Sequence, residues 1–126
     1  MPAEEAPLSI DATVYAEGIA LVTVAGELDV ETAPELHNRL ADQIRGGRRH
    51  LLLDLSAVPF MDSSGINALL KAHDAAGRAG GGLRLVSPAP AVQRVLDLTG
   101  VSLAIPSVKD VEAALVQIGE GTAPRH

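Results

Sequence analysis

An apolar run, Leu51 to Leu55, is followed after a short loop by Phe60-Met61-Asp62-Ser63-Ser64-Gly65-Ile66. The run reads as a buried strand, and Ile66, Leu69, Leu70 and His73 then recur at helical spacing. A buried strand that hands over to a helix commits the chain to a sheet with helices packed on it. The same junction puts an acid and two hydroxyls at the first turn of the helix. Backbone N–H groups there are unpaired and carry a partial positive charge. A hydroxyl in that place can cap the helix, bind an anion or carry a phosphate.

The flanking sequence extends the pattern. Leu8, Ile10, Ala12 and Val14 alternate as in a half-exposed strand, Glu17-Gly18 makes a turn, and Ile19 to Ala25 is apolar on both faces. After the loop Gly26 to Glu31, Thr32 is expected to cap a helix presenting Ala33, Leu36, Leu40 and Ile44. Glu35 would complete a capping box, and Gly46-Gly47 stops the helix. The helix opened by Ser63-Ser64 is expected to run to about Gly77, with Gly80-Gly81-Gly82 as a flexible connector to a strand over Leu83 to Val86. Pro88 and Pro90 open a helix carrying Val92, Val95 and Leu96 that Gly100 stops. Leu103 to Ile105 is read as a last edge strand, and Ser107 as the cap of a final helix with Val108, Val111, Leu115 and Ile118 on one face. The fold class is therefore α/β: a mixed sheet of four to five strands packed with about four helices. The expected division is a flexible tail over 1–7, a domain over 8–118 and a flexible tail over 119–126.

Sites in such sheets form at the carboxyl ends of parallel strands. If the second and third strands are parallel, their exit loops share one edge, and Glu27, Asp29, Glu31, Asp62 and Ser63 form one polar rim. Ser63 and Ser64 are candidate caps, and Asp62 is another. The run holds more capping residues than one helix end needs, which turns attention to a phosphoacceptor at Ser63. Helix N–H groups can hold a phosphate without breaking the fold. Asp62 can equally be a turn residue, and loop acids such as Asp29 are common before helices.

Composition narrows the functional classes. With 126 residues the chain makes one domain that buries about two-thirds of its unfolded surface. It has no cysteine, which excludes thiol nucleophiles, zinc–thiolate sites and disulfides. Sixteen acids against ten bases, with one Tyr, one Phe and no Trp, disfavour direct nucleic-acid binding. The basic cluster Arg45, Arg48, Arg49 and His50 reads as a solvated turn. No signal peptide or membrane-spanning run is visible, so a cytoplasmic location without membrane insertion is expected. His37, His50, His73 and His126 are not placed as a base for Ser63. Asp62-Ser63-Ser64-Gly65 is not the G-x-S-x-G elbow, and Gly80-Gly81-Gly82 precedes a strand without a following Lys. No enzyme activity, metal or cofactor is expected.

Four segments in order resemble the STAS domain of bacterial anti-sigma factor antagonists: Gly26-Glu27-Leu28-Asp29 with Thr32 to Leu36, Leu52 to Leu55 leading into Phe60 to Gly65, Ser87-Pro88-Ala89, and Val92 to Val101. The similarity spans about Leu8 to Ile118. It implies an anti-anti-sigma factor that acts in transcription regulation by partner switching. Such a protein binds an anti-sigma factor that is also an ATP-dependent serine kinase, and so frees a sigma factor. Phosphorylation of Ser63 would switch it off and a phosphatase would restore it. By the same resemblance Asp62, Ser64 and Gly65 would line the contact surface with Asp29. The alternative is a STAS scaffold, of a stressosome or a lipid transporter, that phosphorylation does not regulate. One departure stands out. Many antagonists carry Gly two residues after the loop glycine, whereas here Gly65-Ile66 is followed by Asn67.

Overall fold

The computed structural model describes residues 8–121. Its elements run β1 (Leu8–Ala16), β2 (Ile19–Gly26), α1 (Ala33–Arg45), β3 (His50–Ala57), α2 (Ser63–Arg78), β4 (Gly82–Val86) and α3 (Pro90–Thr99). A single 3-10 turn (Val101–Leu103), β5 (Ser107–Val108) and α4 (Val111–Gly121) complete them. The five strands form one sheet in sequence order, β1-β2-β3-β4-β5. The β1–β2 hairpin is antiparallel, and every later pairing is parallel. The mixed sheet with four helices is the expected fold class.

Both faces of the sheet are covered, which explains the uninterrupted apolar character of β3. Leu51, Leu53 and Leu55 face one core with Leu36 and Leu40 of α1, Leu69 of α2 and Leu96 of α3. Leu52 faces the other, with Val86, Val108 and the α4 residues Ala114 and Ile118. Successive parallel strands lie side by side, and right-handed crossovers put α1 and α2 on the same face. The two helices therefore start next to each other at the carboxyl edge of β2 and β3.

Several local expectations are corrected. Leu103 to Ile105 is not a strand. Gly100, at φ +82°, turns the chain into the 3-10 turn, with Leu103 N–H donating to Gly100 and Ala104 N–H to Val101. The last strand comes later, at Ser107–Val108, paired with Leu85 and Val86. Ser107 and Val108 thus belong to β5, and Asp110 caps α4 by accepting from the Ala113 N–H at 2.8 Å. The expected domain boundary at Ile118 falls before the end of α4 at Gly121. The rest of the expected terminal tails lies outside the described residues.

The glycine connector is a defined turn rather than a loose one. A Cβ on Gly81 would stand 2.1 Å from the Arg49 carbonyl oxygen, so the chain passes there only because Gly81 has no side chain. Gly82 N–H then donates to the same carbonyl at 3.0 Å and opens β4. His50, expected just before β3, is its first residue. It is only 8 % exposed, and neither ring nitrogen has a hydrogen-bond partner among the described residues. Burial, reinforced by Arg49 and Arg84, lowers its pKa from 6.5.

Candidate functional site

The exit loops of β2 and β3 meet at the carboxyl edge as the parallel pairing requires, and they are joined by their main chains. Leu28 N–H donates to Phe60 C=O at 3.0 Å, and Asp62 N–H donates to Leu28 C=O at 3.0 Å, so Leu28 and Met61 form a one-residue parallel bridge. Both side chains are buried and tie the loops into the core. The bridge ends one residue before Asp62 and one before Asp29, which brings the two loops' polar residues to one rim.

Asp62 is the N-cap of α2. Its backbone is extended (φ −105°, ψ −168°), and Oδ1 accepts from the Ser64 N–H at 2.8 Å. Ser63 is therefore not the cap but the first helical residue. It is exposed, and its hydroxyl makes no hydrogen bond among the described residues. Ser64 is half-buried and faces α1. Gly65 lies beneath the surface: a Cβ there would sit 2.6 Å from Met61 Cγ and 3.0 Å from Leu28 Cβ. Its missing side chain lets α2 settle on the Leu28–Met61 bridge. Of the five residues singled out for this surface, Asp29, Asp62, Ser63 and Ser64 meet at the rim, and Gly65 packs below it.

The β2–α1 loop is organised by Asp29, not by the expected Thr32–Glu35 capping box. Asp29 Oδ1 accepts from the N–H groups of Glu31 (3.0 Å) and Thr32 (3.1 Å). Thr32 is buried, with helical backbone angles and no capping bond from its side chain. Its hydroxyl instead donates to the Glu27 carbonyl at 2.7 Å and accepts from the Asp29 N–H at 3.0 Å. Thr32 still stands at the N-cap position, but its hydroxyl is engaged by the aspartate turn three residues upstream and not by the helix.

Two apolar side chains flank the acids, Val30 at 70 % exposure and Phe60 at 49 %. Phe60 is the chain's single phenylalanine, and Val30 sits between two acids in the loop; those oddities were the signals available in the sequence. Below the rim, α1 and α2 leave a cleft of about 330 Å³. Val30, Ala33 and Pro34 line one wall, Ser64, Asn67, Ala68 and Lys71 the other, and the exposed His37 and Asn38 follow further along α1. The residue that departs from the frequent family glycine, Asn67, is thus a cleft residue. His37 shares the cleft with Ser64, yet no hydrogen bond joins them among the described residues. No cluster of three His, Asp or Glu side chains that could hold a metal, and no helix long and apolar enough to cross a membrane, occurs among the described residues.

Residues 12–114 match the model of the STAS domain. The chain belongs to the STAS domain family. Among curated relatives of this STAS domain, the anti-sigma-B factor antagonist of Staphylococcus aureus is 31 % identical over 101 residues, covering 80 % of the chain and 83 % of the relative. The anti-sigma F factor antagonist of Paenibacillus polymyxa is 28 % identical over 102 residues, covering 80 % and 87 %. Among solved structures, an anti-sigma factor antagonist from Mycobacterium paratuberculosis superposes with a TM-score of 0.77 at 29 % identity, covering 87 % of this chain and 92 % of that one.

Proposed function

We propose that this STAS domain is an anti-sigma factor antagonist whose partner is an anti-sigma factor with ATP-dependent serine kinase activity, and that phosphorylation of Ser63 switches the interaction off. The observation that carries the reading is Ser63 itself, an exposed hydroxyl with no hydrogen bond among the described residues, on the first turn of α2 and held in place by the Leu28–Met61 bridge. Such a hydroxyl can enter a kinase site without unfolding anything. The named relatives are antagonists of anti-sigma factors, which supports the partner class.

The chemistry asks little of this chain. Ser63 Oγ attacks the γ-phosphorus of ATP, the Oγ–P bond forms, the bridging P–O bond to ADP breaks, and the serine proton passes to a base on the kinase. The product carries about −1.5 to −2 further charges beside Asp62, Asp29, Glu27 and Glu31. Oδ1 of Asp62 already occupies the helix N-terminus through the Ser64 N–H. A phosphate therefore adds to an existing negative rim, and a partner that packed on the neutral hydroxyl is repelled. A phosphatase would restore the binding form, and the whole cycle fits a cytoplasmic regulator of transcription.

The test is intact-mass analysis after incubation with ATP and each candidate anti-sigma kinase of the same genome, with Ser63→Ala alongside. The expected result is one added phosphoryl group, absent in the variant, with loss of kinase binding. Stable binding without modification would sink the switch and favour an unregulated scaffold, of the stressosome or transporter-associated kind.

A further inference from the structure

The α1–α2 cleft has a charge order along its length. Ser64, Asn67 and Lys71 are spaced three and four residues apart, so they share one face of α2. Seven residues of helix rise about 10 Å, which is the reach of three residues of extended chain. Asp29 and Glu31 flank the lining residue Val30 in the chain, and Asp62 caps the helix two residues before the lining residue Ser64, so these acids adjoin the upper end. The lower end holds Lys71 and His37. Lys71 has no ion pair among the described residues; the salt bridges there join Arg45 to Asp42 and Arg78 to Asp74. Between the two ends the lining is apolar, with the exposed Val30 and the buried Ala33 on one wall and the buried Ala68 on the other.

We propose that this cleft seats an extended segment of the kinase partner with a fixed charge order: a basic residue against the acidic rim, a small apolar residue over Val30, Ala33 and Ala68, and a carboxylate at Lys71. The inference rests on the kinase-partner reading above and adds the chemistry and direction of the docked segment. Charge complementarity decides the occupant, because one straight segment meets both signs only in this order. Asn67 lies midway, where its amide can both donate to and accept from the segment's main chain. The position that is frequently glycine in relatives thereby becomes a specificity residue of this chain.

The experiment measures the affinity of the kinase identified by the Ser63 assay, by calorimetry without ATP so that no phosphorylation intervenes. Lys71→Glu is compared with Arg94→Glu, which changes the net charge equally from an exposed position on α3. Lys71→Glu should weaken binding about tenfold, equivalent to about 1.4 kcal/mol. Arg94→Glu should stay near the native value, and both variants should melt as the native protein does. Asn67→Gly should change the ranking of kinases from the same genome. Lys71→Glu binding within about twofold of native, or no weaker than Arg94→Glu, overturns the cleft assignment while leaving the kinase reading intact. A Lys71-dependent dimer in sedimentation, in place of a Lys71-dependent complex, overturns it in favour of a second copy. Failure of the native chain to bind any candidate kinase overturns both.

Discussion

Asp62→Ala separates the two roles that meet at this residue. The substitution removes the Oδ1 acceptor of the Ser64 N–H, a 2.8 Å bond, and leaves the main-chain bonds of Asp62 to Leu28 and Ile66 in place. Loss of an N-cap costs about 1 kcal/mol, and loss of its negative charge at the helix N-terminus about 0.5 more. An unfolding entropy of roughly 2.1 cal/mol/K per residue gives about 0.26 kcal/mol/K for a chain of this length. The expected fall in Tm is then about 6 °C for Asp62→Ala. Asp62→Asn keeps the acceptor and loses only the charge, so its fall should be about 2 °C. Differential scanning calorimetry of the three proteins at neutral pH and low salt reads both numbers. If Asp62→Ala melts within about 1 °C of native, or if Asp62→Asn falls as far as Asp62→Ala, the cap does not hold this helix and the reasoning is wrong.

Three further perturbations test the frame. Thr32→Val removes a buried hydroxyl that bonds Glu27 and Asp29; chemical denaturation should show a loss of about 1–3 kcal/mol, and an unchanged midpoint would refute the assigned bonds. Gly81→Ala should lose more than about 2 kcal/mol, because its Cβ meets backbone rather than a movable side chain; a variant as stable as native would show that the turn can shift. His50 favours the neutral form in the folded state, since burial lowers its pKa below 6.5. Its contribution is complete above that value and is lost as pH falls through the folded-state pKa, where the unfolded chain binds more protons. Urea titrations from pH 7.5 to 4.5 should therefore show a steeper acid loss in native protein than in His50→Leu, and parallel curves would remove His50 as the cause.

The elements with strong periodicity were legible in the sequence. Ile19 to Ala25 and Leu51 to Leu55 are apolar on both faces because both are covered, and the helices over Leu36, Leu69 and Leu96 showed their core stripes plainly. The shared polar rim also followed once β2 and β3 were taken as parallel. What escaped was decided by competition between neighbours. Thr32 looked like a side-chain cap, but its hydroxyl is taken by the Glu27 carbonyl and the Asp29 N–H. Leu103 to Ile105 looked like a strand, yet a left-handed Gly100 had already turned the chain. Gly65 also has a packing reason that the sequence did not show, the approach of Met61 beneath it. The cleft could not be read at all, because it depends on how far apart two helices distant in sequence come to rest.

The Leu28–Met61 bridge is made of amides and carbonyls, which every residue but proline provides in full. Buried Leu28, Met61 and Gly65 set the frame from below, and the two main-chain bonds ask nothing of the exposed side chains on the rim. Val30, Phe60 or Asn67, all exposed, can each be exchanged without loosening the two main-chain bonds that hold the loops together. A lineage that duplicates such a gene inherits the scaffold intact and can retune the rim alone, so parallel copies can diverge toward different partners in one cell while every copy keeps the same joint.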